Sequence, residues 1–125
     1  MPSEVTLRSD ATPPFIEARY HGRVTAEQLN EAATQIVAYL DCLAPLRLLA
    51  DCTDLRGGLS VVDLYYTADW IARDPRLRDL REAVLMPSAG PQVHDGEFWA
   101  NACGNRGINV RVFTDRAAAL AWLLA

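Results

Sequence analysis

Apolar and polar positions along this chain repeat with two different periods, and the switches between them mark out the elements. From Val5 to Ser9, and again from Phe15 to His21, the period is two, with Ile16, Ala18 and Tyr20 on one side and Glu17, Arg19 and His21 on the other. That pattern predicts two strands with one drier and one wetter face, joined as a hairpin through the ATPP turn at 11–14. The period then lengthens, and Leu29, Ala32, Ala33, Ile36 and Leu40 fall on one helical stripe. Thr25 followed by Gln28 has the form of a capping box, in which both side chains satisfy otherwise free backbone N–H groups, and Pro45 stops the helix.

Leu46 to Asp51 is a short apolar run of the kind found in a central strand. Ser60 with Asp63 predicts a second cap and a helix to about Arg73. Ala83 to Met86 reads as the next strand, Val93 to about Asn105 as a less regular helix, and Asn109 to Phe113 as a further strand. Asp115 caps a last helix that turns Leu120, Leu123 and Leu124 inward. The order is β-β-α-β-α-β-α-β-α. Alternating strands and helices require parallel strands joined by right-handed crossovers, so the expected class is α/β, with a mixed, mostly parallel sheet of about five strands flanked by about four helices. No repeat, low-complexity tract or linker interrupts the pattern, and residues 1–125 are expected to form a single domain.

Composition narrows the functional classes. A chain of 125 residues with 50% hydrophobic and 22% charged content can bury a full core. Twelve arginines, no lysine and sixteen acidic residues give a net charge of −4, with the arginines scattered, which argues against nucleic acid as a partner. No run approaches the length of a membrane span, and the start MPSEVTLRSD lacks the basic and apolar regions of a signal peptide, so a cytoplasmic location is expected. Cys42, Cys52 and Cys103 are an odd number at wide spacing, which offers neither a disulfide framework nor a metal knuckle; each is expected to be a small buried residue. No cofactor motif is present.

Four segments, GRVTAEQL at 22–29, LRLLADCTDLRG at 46–57, AVLM at 83–86 and VRVFTDRAAALAWLL at 110–124, resemble the SpoIIAA-like family of small bacterial domains. That family is related in fold to the STAS domains of sulfate transporters and anti-sigma-factor antagonists. The resemblance implies a STAS/SpoIIAA-like fold and a non-enzymatic, regulatory or ligand-sensing domain that binds a protein partner or a small ligand, since STAS domains bind protein partners and some bind nucleotides or small hydrophobic ligands. In anti-sigma antagonists a DSSG-type loop is controlled by phosphorylation. The comparable stretch here, Asp54 to Ser60, reads DLRGGLS and lacks that pattern.

The region after Asp51 is the first candidate surface, because ligands of open α/β sheets collect at the carboxyl ends of strands. Asp51 and Asp54 have no third acidic neighbour to hold a hard cation, so no metal is expected. Gly57 and Gly58 permit positive φ or close approach to a ligand but match no nucleotide-phosphate motif. Ser60 is read as an N-cap, and as the one candidate phosphosite because a phosphate there would meet a helix N-terminus. On the helix from Val61, the apolar stripe is Val61, Leu64, Tyr65, Ala68 and Ala72, which puts Tyr66 and Trp70 on the opposite face. These two aromatics, with Phe98 and Trp99 of the next helix, are expected to line a ligand groove or a self-association surface, giving a candidate homodimer as the alternative reading. An enzyme would need Asp51, Cys52 or His94 to converge in a cleft.

Overall fold

The structure is a computed structural model and describes residues 2–43 and 45–125. Its elements follow the expected order: β1 (Ser3–Arg8), β2 (Phe15–Arg23), α1 (Ala26–Ala38), β3 (Arg47–Gly57), α2 (Val61–Ala72), β4 (Arg81–Leu85), α3 (Val93–Gly104), β5 (Asn109–Phe113) and α4 (Arg116–Leu123). The strands lie side by side in chain order, with β1 antiparallel to β2 and the rest parallel. Because every crossover steps in the same direction and with the same hand, α1, α2 and α3 share one face of the sheet. The last helix follows the edge strand and folds onto the opposite face, where Ala119 and Leu123 meet Phe15, Leu49, Ala83 and Leu85.

The period of two assigns each strand residue to a face. Ile16, Ala18 and Tyr20, Leu48, Ala50 and Cys52, and Val84 followed by Met86 point toward α1–α3 and form the larger core. The capping reading holds at all three sites. Thr25 and Gln28 form a reciprocal box, Ser60 and Asp63 form another, and Asp115 accepts the Ala118 N–H.

Four expectations need correction. β3 does not end at Asp51 but runs to Gly57, since β2 is nine residues long and pairs with it as far as Arg23 opposite Gly57. The polar sequence DCTDLRG looks like a loop, yet Cys52 and Leu55 are buried while Asp54 and Arg56 face solvent, the signature of a half-covered strand. α1 stops at Ala38 and a 3-10 turn over Tyr39–Asp41 follows, so Leu40 lies beyond the helix and Pro45 is not its terminator. Cys42, at the end of that turn, is exposed; Cys52 and Cys103 are buried as expected. On α2 the inner face is Leu64, Thr67 and Ala68, whereas Val61 and Tyr65 are exposed, and the Tyr65 ring instead carries the Arg106 guanidinium 4.6 Å from its centroid.

Candidate functional site

Between the sheet and its three-helix face lies an apolar cavity of about 80 Å³ near the carboxyl ends of the strands, walled by Ala50, Cys52 and Val84 below and roofed by Gly57, Leu59 and Trp99. A second cavity of about 50 Å³ extends toward Leu46, Leu77 and Leu80 at the other end of the same face. Tyr20, Leu29, Glu82 and Trp99 line both, and so form the partition between the two chambers.

Glu82 is the unexpected member. It belongs to the even-numbered positions of β4, opposite Leu48 on β3 and Val110 on β5, so strand geometry points its carboxyl into the core. Its residue is 5% exposed. One oxygen, Oε1, accepts the Trp99 indole N–H at 2.9 Å, the only side-chain hydrogen bond the carboxyl receives among the described residues. Burial pushes the carboxyl up to about 7, against the smaller opposing effect of the indole bond. The neighbouring Tyr20 hydroxyl is driven up too, first by burial and then by Cys52 and Glu82, and the Cys52 thiol first by burial and then by the negative charge on Glu82. A thiol held so strongly in its neutral form is a packing group rather than a nucleophile. Glu82 and Tyr20 were missed as site residues, although counting back by twos from Met86 through Val84 places Glu82 on the core face.

The residues singled out from sequence occupy several separate places. Asp51 lies on the opposite face of the sheet from Cys52, accepts the Thr53 N–H at 3.0 Å and hydroxyl at 2.7 Å, and faces Arg19 at 3.6 Å and Arg116 at 3.8 Å. Asp54 extends that charged face, with His21 at 3.7 Å and Arg19 and Arg56 at 3.9 Å. Glu17 is the anchor of the network. Its buried carboxylate accepts two bonds from Arg116, at 2.8 and 3.1 Å, and one from Arg8 at 3.1 Å. Burial alone would raise its pKa, but the two guanidinium groups together hold it below the ordinary carboxylate value.

Such a group stabilises the fold above the ordinary carboxylate range and loses that contribution as pH falls through its depressed folded value. Because Arg116 is half exposed, solvent screens part of the interaction. Arg116→Ala is therefore expected to lower unfolding free energy at pH 7 by about 1–2 kcal/mol. Chemical denaturation at pH 7 and pH 3 checks this: the gap between variant and parent should narrow at the lower pH.

Gly57 ends β3 and its carbonyl accepts the Val24 N–H at 2.9 Å, while Gly58 turns the chain over Val24. Ser60 is exposed, with its hydroxyl accepting the Asp63 N–H at 3.1 Å. Tyr66 and Trp70 are 67% and 46% exposed on the outside of α2, together with Val61, Val62 and Tyr65. Phe98 and Trp99 pack inward from α3 against the core, so the structure does not join them to the outer aromatics. His94 stands in solvent near Glu97, 3.9 Å away, and does not converge with Asp51 or Cys52. Among the described residues no cluster of three His, Cys, Asp or Glu side chains is arranged to hold a metal ion. Among them, too, no helix is long and apolar enough to cross a membrane.

Comparison with known proteins shows the fold. No family model matches the chain, and no curated protein does so. A crystal structure of an uncharacterized protein of the DUF3478 family with a SpoIIAA-like fold, from Shewanella loihica PV-4, superposes with a TM-score of 0.69. It is 17% identical and the match covers 97% of this chain and 93% of that one. The chain thus has the SpoIIAA-like α/β fold expected from its sequence.

Proposed function

We propose that this protein is a non-catalytic, STAS-like ligand-binding module whose ligand is a small, mainly apolar molecule held between the sheet and α1–α3. The observation that carries the reading is the two-chambered cavity, apolar apart from a few polar groups and set partly at the carboxyl ends of parallel strands. Support against catalysis comes from the scatter of titratable groups: Asp51 behind the sheet, Cys52 neutral in the core and His94 in solvent.

Native mass spectrometry of the purified protein, paired with denaturing mass spectrometry, tests it. The expected result is an added small-molecule mass that disappears on denaturation. Where the protein purifies empty, toluene as a probe should raise its melting temperature, and Ala50→Ile, which fills the chamber, should abolish that rise. No added mass and no response to the probe would overturn the reading. A second reading, a self-associating module, is favoured by the exposed Val62, Tyr66 and Trp70 at helical spacing on α2, and a dimer mass without ligand would support it.

A further inference from the structure

We infer that the cavity is built for an uncharged, largely hydrocarbon molecule bearing one hydroxyl within its length, which donates to Glu82 and accepts from Tyr20. This rests on the ligand-binding reading above and names the chemistry of its ligand.

Two polar atoms in the partition carry the inference. Glu82 Oε2 and the Tyr20 hydroxyl make no side-chain hydrogen bond among the described residues, either to each other or to a neighbour. Yet those residues contain no fully enclosed side-chain nitrogen or oxygen that lacks a partner. Both atoms must therefore border open space, and the space that both residues line is the pair of chambers. Polar groups facing an apolar void need a partner, because leaving one desolvated and unpaired is costly.

The pair also defines which partner fits. A carboxylate accepts only, and a phenol beside it is free to donate. A ligand hydroxyl, with one donor and two lone pairs, answers both at once; an ether offers no donor and an ammonium no acceptor. A carboxylate ligand would face the charge of Glu82 in a poorly solvated site. Because apolar space lies on both sides of the partition, the hydroxyl belongs inside the hydrocarbon length and not at its end, leaving an arm for each chamber.

The test uses the full chain at pH 8.5 and three probes of matched shape: 4-heptanol, dipropyl ether and 4-aminoheptane. The Trp99 indole N–H resonance reports occupancy at the site. Expected is an affinity for the alcohol about tenfold above that for the ether, the size of one charge-assisted hydrogen bond after desolvation. Tyr20→Phe should weaken the alcohol and the ether alike, each roughly fivefold, because both oxygens accept from the phenol, and Glu82→Gln, which keeps an acceptor for Trp99, should bring the two within about twofold. Equal affinities in the parent protein, or the amine binding tightest, would overturn the inference while leaving apolar binding intact. Absence of any response from all three probes would overturn the ligand-binding reading itself.

Discussion

Gly58→Ala is expected to destabilise the protein by at least ~2 kcal/mol, with a methyl group as the only atoms added. Gly58 has φ +102°, a conformation L side chains rarely adopt, and a Cβ built there would lie 2.8 Å from the Val24 nitrogen and 2.9 Å from its carbonyl carbon. Those are backbone atoms of a residue that is itself fully buried between β2 and α1, so they cannot swing aside as a flexible side chain would. Moving the turn away instead would stretch the Val24 N–H bond to Gly57 and lift the roof of the larger cavity. Gly22 is the control, because its φ is +63° with nothing within 4 Å of a built Cβ. Its alanine variant should lose only the left-handed backbone cost of about 1 kcal/mol. Urea unfolding of the two variants decides the matter, and equal losses would show that crowding against Val24 contributes nothing.

The contrast between these glycines illustrates what was legible in the sequence. Periodicity and caps are local properties, and they placed every strand and helix in order, including the boxes at Thr25 and Ser60. The extension of β3 through DCTDLRG was hidden because its polar residues are satisfied by a neighbouring strand and by arginines from distant parts of the chain. Arg116 reaches Glu17 across 99 residues, a pairing no spacing rule contains. On α2 the exposure of Tyr66 and Trp70 followed from helical geometry, whereas that of Tyr65 depended on Arg106 offering its guanidinium to the ring. The candidate site was harder still. The cavity is lined mostly by ordinary core positions, together with Gly57, Asp95 and the Glu82 carboxyl, whose meaning depends on which way β4 faces.

Glu82→Gln is expected to reverse the usual effect of losing a hydrogen-bonded core group and to stabilise the protein above pH 7. In the folded chain burial lifts the Glu82 carboxyl to about 7 from an ordinary 4.5, so the native state holds this proton more tightly than the unfolded chain. Stability is therefore lost as pH rises from the ordinary value through the folded one, and the full cost, on the order of 3 kcal/mol, is present above that window. Gln does not titrate, and its side-chain oxygen can keep the bond from the Trp99 indole. The difference in unfolding free energy between parent and variant should swing by about that amount toward the variant between pH 4.5 and pH 8.5. Glu17, held below its ordinary value by its arginines, shifts in the opposite sense, but it is common to both proteins and cancels in the difference. Parallel stability curves within ~0.5 kcal/mol would show that the carboxyl is solvated in the folded chain, and its place at the partition would then hold no unmet hydrogen-bonding demand. A stability gain together with loss of the alcohol preference is the pattern of a side chain that costs the fold and serves the ligand, because a buried carboxyl oxygen that no protein donor meets has its hydrogen-bond partner elsewhere.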